Sequence, residues 1–322
     1  MKSTLKNISK KLNGDQVCNL LFKNYEAISA DWTFHQWNWL HQNYQAFNDL
    51  IKYLIILRLA KETLEFYYST SSKYTYDEYY SYPELQIANF NISELAKEFS
   101  LPKETMRRKI MELENSKVIR RQGKNLFIDR SAYNLIKPIN QINITSKYIS
   151  NVSKILFEAK LIDSEISQDE IKDLIKKRFS QIWLWFYDFQ LPVMLNWKNY
   201  FGDINMFYIW GTLALNQVYN QKNLNHEIKS TTLDDYTNII LSDAQTQSGL
   251  NIMSISEMTK IPRATVIRKV KALEKKNLLI SNEKKQYYLV KQLSASAAIP
   301  LMKKNFMLKG KLISKILNLI IV

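Results

Sequence analysis

Two stretches 160 positions apart align without a gap: FNISELAKEFSLPKETMRRKIMELE (90–114) falls on LNIMSISEMTKIPRATVIRKVKALE (250–274). Asn91/Asn251, Ile92/Ile252, Pro102/Pro262, Thr105/Thr265, Arg108/Arg268, Lys109/Lys269, Leu113/Leu273 and Glu114/Glu274 are identical. Leu95/Ile255, Leu101/Ile261 and Ile110/Val270 are conservative pairs. The period is too long for a solenoid and describes two domain-sized copies. A chain of 322 residues has the length for two domains with cores of their own. The same offset places Trp37 on Trp197 and Phe47 on Phe207. Those two matches suggest that the duplication extends upstream.

Each copy reads alike in outline. A long apolar helix comes first, over 46–68 and again over 203–221, where Asp203 fits an N-cap. A polar or tyrosine-rich segment follows, then a pair of short helices. Helical spacing over 144–162, and over 167–188 behind a Ser167/Glu170 capping box, predicts a helical connector between the copies. The expected organisation is 1–140, 141–295 and a basic, apolar C-terminal helix over 296–322.

In the second copy, 253–260 suits a short helix, Lys260-Ile261 a tight turn, and Pro262 the first position of a new helix. From there Val266, Val270 and Leu273 form an apolar stripe, joined by Asn277, and Ala264, Arg268, Lys271 and Lys275 face away, with Thr265 beside them. In the first copy Met106, Ile110 and Leu113 are the stripe. Glu104, Arg108, Met111 and Asn115 face outward there, flanked by Thr105 and Arg107. A strand–turn–strand signal follows each helix. VIRRQGKNLFI (118–128) turns at Gly123, and LLISNEKKQYYLV (278–290) turns near Asn282.

Charge is concentrated in the same places. The net charge of +15 resides in 101–130 (+5), 261–290 (+6) and 291–322 (+6), and the remainder is slightly acidic. Cations gathered on short elements point to a polyanion, nucleic acid before anionic lipid. Arg pairs with guanine edges, and Thr and Lys suit phosphates or base edges. The candidate DNA contacts are Arg263, Thr265, Arg268, Lys271 and Lys275 on the second helix, with Lys284 and Lys285 on its hairpin. Their first-copy equivalents are Lys103, Thr105, Arg107 and Arg108, with Arg120, Arg121 and Lys124 on the hairpin.

"IPRATVIRKVKALEKKNLLI" followed by a hairpin resembles winged helix-turn-helix proteins, especially MarR-type and related bacterial transcriptional regulators, and "ISELAKEFSLPKETMRRKIMELENSKVI" resembles them too. The likeness covers about 90–130 and 250–290. It implies a mainly α fold with small β-hairpin wings: two winged-helix modules in tandem, joined by a helical connector. It also implies recognition helices over 102–117 and 262–277, and a cytoplasmic, sequence-specific double-stranded DNA-binding protein that regulates transcription. Glu104 and Ile267 depart from a uniformly basic reading face. The second copy is therefore expected to bind more strongly, and the whole to read an asymmetric site. Two other readings stay open. Plasmid-type replication initiators also carry tandem winged helices in one basic chain, and a winged-helix scaffold could instead bind proteins.

Chemistry of other kinds is not readable. The six glycines are scattered and build no phosphate-cradling loop. His35, His41 and His226 lack metal-ligand spacing, and Cys18 stands alone, which fits a reducing, cytoplasmic setting. No enzyme, cofactor or metal site is expected. The apolar stretch 182–195 is interrupted by Asp188, Gln190 and Pro192, short of the ~20 apolar residues a membrane span needs. The aromatic runs 32–47 and 67–83 read as core packing plus a tyrosine-rich loop, with a ligand pocket or interface as the sharper alternative. The C-terminal helix is expected to dock on the body or on a second chain rather than on lipid. No small-molecule effector is named by the sequence.

Overall fold

The computed structural model describes residues 11–87, 90–123, 125–130, 137–223, 232–235, 248–290 and 298–321. The chain is mainly helical, with two small antiparallel sheets. The first half runs α1 (Gly14–Lys23), α2 (Tyr25–Phe47), α3 (Leu50–Ser69), α4 (Tyr76–Ser81), β1 (Glu84–Ile87), α5 (Ile92–Glu98), α6 (Lys103–Asn115), β2 (Ile119–Gln122), β3 (Asn125–Asp129) and α7 (Ile139–Glu158). The second runs α8 (Gln168–Lys177), α9 (Phe179–Phe201), α10 (Ile204–Asn223), α11 (Ile252–Thr259), α12 (Arg263–Lys275), β4 (Leu279–Ser281), β5 (Tyr287–Leu289) and α13 (Ala298–Ile321).

The duplication covers nearly the whole described chain, but not at one offset. α8, α9 and α10 begin and end 154 residues after α1, α2 and α3 at every boundary. The breaks between them repeat as well. Asn24 and Arg178 share φ −121° and −118°. Asn48 and Gly202 both take the left-handed region, at φ 50° and 79°. The pairing of Trp37 with Trp197 and Phe47 with Phe207 is therefore displaced. The partner of Phe47 is Phe201, and that of Asp49 is Asp203. The second copy has six more residues between its long helix and its helix pair, and a slide at fixed offset does not cross such an insertion.

The segment read as a connector belongs to the copies themselves. α7 closes the first half as α13 closes the second, and α8 opens the second as α1 opens the first. Their amphipathic faces go into the common core: Ile142, Ile149, Val152 and Leu156 from α7, Ile171 and Ile175 from α8, and Phe306, Ile313, Ile316 and Leu317 from α13. The boundary between copies thus falls in 159–167 rather than at 140, and the C-terminal helix docks on its own chain.

Contacts between the halves are reciprocal. α3 packs on α9 and α10 on α2, while α1 packs on α13 and α8 on α7. Reciprocal pairing of equivalent surfaces is the mark of a two-fold interface, here within one chain. At its centre two equivalent glutamines face each other. Gln36 Nε2 donates to Gln190 Oε1 and Gln190 Nε2 to Gln36 Oε1, both at 3.3 Å, with both residues buried. Beside them His35 is fully buried between Thr145 (3.0 Å) and Gln36 (3.2 Å), and burial, aided by the Lys309 charge, lowers its pKa to about 3. Trp32, Trp39, Phe186 and Phe189 surround this axis, so the aromatic run 32–47 packs into the core through Trp39, Leu40, Tyr44 and Phe47, while Trp32 and Trp37 are half-buried at its edge. The tyrosine-rich segment is not all loop. Thr75 and Glu78 form a capping box that starts α4, whose Tyr76 and Tyr79 are buried.

The glutamine pair makes a thermodynamic prediction. Gln36→Leu should lower stability by about 1–3 kcal/mol, because Gln190 is left buried without a partner. Gln36→Leu/Gln190→Leu should recover most of that loss in a urea double-mutant cycle. Additive losses would show that the pair does not act as a unit.

Candidate nucleic-acid interface

α6 and α12 each run thirteen residues, and both begin after a proline N-cap, Pro102 (φ −56°, ψ 138°) and Pro262 (φ −54°, ψ 136°). The proline is thus the N-cap, one position ahead of the first helical position at which the sequence placed it. Its extended ψ lets the chain enter from the turn while its carbonyl accepts the first helical bond, from Met106 (3.1 Å) or Val266 (3.0 Å). Both helices end on a left-handed residue, Lys117 (φ 58°) and Asn277 (φ 53°), so Asn277 is exposed and outside the stripe.

Burial repeats residue for residue from 102–117 to 262–277. Met106, Ile110 and Leu113, and Val266, Val270 and Leu273, are buried. Lys103, Arg107 and Arg108, and Arg263, Arg268, Lys271 and Lys275, are exposed, with Thr105 and Thr265 half-buried at the edge of that face. Arg120 and Arg121 on β2, and Lys284 and Lys285 on the second hairpin, are exposed too. Lys124 lies outside the described residues, as does His226.

Most of the identical pairs have a structural task. Asn91 and Asn251 are the N-caps of α5 and α11, accepting from Ser93 N (2.9 Å) and Ser254 N (2.9 Å). Lys109 pairs with Asp49 at 2.6 Å, and Lys269 pairs with Asp203. Each of these aspartates also caps the long helix of its own half: Asp49 accepts from Ile51 N (2.8 Å), Asp203 from Asn205 N (2.7 Å). Glu114 pairs with Arg121, and Glu274 accepts from Ser281 Oγ at 3.0 Å, so both carboxylates brace the hairpin against its helix. Ile92 and Ile252 pack on the core, which also buries Leu113 and Leu273. Thr105/Thr265 and Arg108/Arg268 remain. They are identical yet face outward.

The other half of the chain holds each helix pair in place. Lys198 of α9 donates to the carbonyl of Phe99 at the end of α5, at 2.7 Å. His41 of α2 stands beside the Met258 backbone of α11 and holds Tyr208 Oη at 2.8 Å through Nδ1. Burial lowers the pKa of both side chains, with the Lys260 charge adding to the effect at His41.

The cations differ between copies. Arg107 lies 3.6 Å from Glu104, Arg108 lies 3.9 Å from Glu112, Arg120 pairs with Glu84, and Arg121 with Glu114. Arg120 and Arg121 also lie over the Phe127 and Phe90 rings, at 5.5 and 5.1 Å. Among the described residues, the ion pairs of the second copy engage Lys269 and Lys303 instead, so Arg263, Arg268, Lys271, Lys275, Lys284 and Lys285 have no carboxylate at ion-pair distance. Ala272 stands where Glu112 does in the first copy.

The hairpins are built differently. β1, β3 and β2 form one antiparallel sheet in that order, turned at Gly123 (φ 60°). Among the described residues β4 and β5 form a two-stranded antiparallel sheet, with one further bridge from Leu250 to Tyr287. Asn282 organises its tip, accepting from Gln286 N at 2.9 Å and donating to Tyr288 Oη at 3.0 Å, which leaves Lys284 and Lys285 projecting.

Elsewhere, Cys18 is buried, and burial pushes its thiol up to about 11. Among the described residues no cluster of His, Cys, Asp or Glu could hold a metal ion, and no helix is long and apolar enough to cross a membrane. Comparison of the chain with protein-family models, curated proteins and solved structures finds no match.

Asp203→Ala removes both the α10 cap and the Lys269 partner. It should cost about 1–2 kcal/mol by urea denaturation, and Lys269→Met less. No loss in Asp203→Ala would mean that the tie between α12 and the core is unimportant.

Proposed function

We propose that this chain is a sequence-specific double-stranded DNA-binding protein, two tandem winged-helix modules fused into a covalent pseudo-dimer, with α6 and α12 as unequal recognition helices. The observation that carries this reading is the residue of identity left over once the fold is accounted for. Arg108/Arg268 are repeated on the exposed face and Thr105/Thr265 at its half-buried edge, and among the described residues they have no internal task common to both copies. Arg on a helix face that enters a major groove can bond guanine O6 and N7, and Thr a phosphate or base edge.

Several features support it. Each exposed helix is followed by an antiparallel hairpin with cations on it, which suits contact with the phosphate backbone or the neighbouring minor groove. In the first half, strand order β1-β3-β2 beside a helix–turn–helix suits a winged helix. The reciprocal packing of the halves favours two half-sites in opposite orientation, and the different outward residues favour unequal ones. The uncommitted cations of α12 and its hairpin favour tighter binding by the second copy, since Glu104 and Glu112 already stand beside the arginines of α6. Regulation of transcription, in the cytoplasm, is the role that the resemblance to MarR-type proteins implies.

Fluorescence anisotropy with a bound duplex tests the proposal. Affinity should fall roughly 10³-fold between 50 and 200 mM salt if about six phosphates are engaged. Arg268→Ala should cost about 1–3 kcal/mol at the preferred site, and Arg108→Ala less. Absence of duplex binding at low salt would overturn the reading, and unchanged affinity in Arg268→Ala would remove that residue from recognition.

A further inference from the structure

The exposed faces of α6 and α12 differ in pattern as well as in charge. Positions 107 and 111 lie one helical turn apart and about 40° from each other around the axis, as do 267 and 271. At this pair of positions α6 holds Arg107 and then Met111, and α12 holds Ile267 and then Lys271. Each helix thus carries one cation and one large apolar side chain there, in opposite order. All four residues are exposed, Met111 at 53% and Ile267 at 36% of full accessibility.

Neither apolar side chain is there for the fold. Met106, Ile110 and Leu113, and Val266, Val270 and Leu273, build the core side of each helix. The equivalent position in the other copy holds an equally exposed cation, so the fold accepts charge at both places. Isoleucine at 267 is also a weaker helix former than the arginine of its twin, because its branched Cβ restricts χ1. Lone exposed apolar residues are common on protein surfaces and ask for no account. Here one stands in each of two equivalent helices, amid cations, on the face proposed to meet DNA. In the major groove the apolar group on the base edges is the 5-methyl of thymine.

Arg108 and Arg268 give the two helices a common reference point. Met111 follows Arg108 by three residues, about 4.5 Å along the axis, and the two lie about 60° apart on one face. In α12 the order is reversed. Ile267 directly precedes Arg268, and the exposed Ala264 adjoins Ile267 at the preceding turn. We propose that Met111 and Ile267 are specificity-determining residues that each pack on a thymine methyl, and that thymine therefore stands on opposite sides of the arginine-read base in the two half-sites. This inference rests on the DNA-binding reading and adds to it the identity and order of bases within each half-site.

Anisotropy titration of the full chain with its selected duplex, each thymine replaced in turn by deoxyuridine, reads the methyl alone, since base pairing is unchanged. One thymine in each half-site should cost about fourfold in affinity on replacement, the worth of one buried methyl. Met111→Ala should remove that sensitivity in the half-site that depends on Arg108, and Ile267→Ala in the half-site that depends on Arg268. Each variant should leave the other half-site sensitive. Both residues are exposed, so both variants should unfold at the temperature of the parent. Three results would overturn the inference while leaving DNA binding intact: duplex binding without deoxyuridine sensitivity, sensitivity that survives both alanine variants, or thymine on the same side of the arginine-read base in both half-sites. Absence of duplex binding at low salt would overturn the DNA-binding reading and this inference with it.

Discussion

One carboxylate in each half carries two obligations. Asp49 and Asp203 cap the long core helices α3 and α10, and the same side chains hold Lys109 and Lys269 of the exposed helices. An N-cap and an ion pair are each modest in energy. Joined on one residue, they fix the exposed helix to the end of the helix that builds the interface between halves. Lys198 and His41 add a pin from the opposite half. The two cationic faces are therefore oriented by the same core that packs around Gln36 and Gln190, and a shift of α3 or α10 would move both the interface and the helix that hangs from it.

Within that frame the two copies have diverged at their surfaces and cavities while conserving their joints. Every position of 102–117 keeps its degree of burial in 262–277, yet Glu104 faces Ala264, Glu112 faces Ala272, and Met111 faces Lys271. The first helix offsets its arginines with carboxylates, and among the described residues the second does not. Inside, Leu57 and Tyr187 fill much of one cavity, of about 90 Å³, and Gly211 and Thr33 leave its counterpart larger, at about 130 Å³. Among the described residues, the second half thus keeps the more unpaired surface cations and the larger cavity.

Much of this was legible in the residues. The stripe Val266, Val270, Leu273 and its twin Met106, Ile110, Leu113 are local 3.6-residue patterns, and local patterns survive without tertiary knowledge. The hairpins were legible for the same reason. The duplication upstream was only half visible. Its identities are sparse, such as Gln36/Gln190, Phe47/Phe201, Asp49/Asp203 and Leu59/Leu213, and an insertion moves them six positions off the stronger repeat. The capping box at Ser167 was visible, but a cap says where a helix starts and not what it packs on, so α7–α9 read as a connector. The Asp49–Lys109 and Asp203–Lys269 ties were hidden because their partners are far apart in sequence, though Lys109/Lys269 stood among the identical pairs as a sign.

The central claim is that two oppositely oriented, unequal faces of one chain read duplex DNA. Selection of bound duplexes from a random pool, followed by footprinting of the winners on both strands, tests it most directly. The account predicts one compact site made of two different half-sites in inverted orientation, with the stronger half-site lost in Arg268→Ala and the weaker one in Arg108→Ala. Enrichment of no sequence, or of direct repeats each bound by a separate copy of the chain, would contradict it.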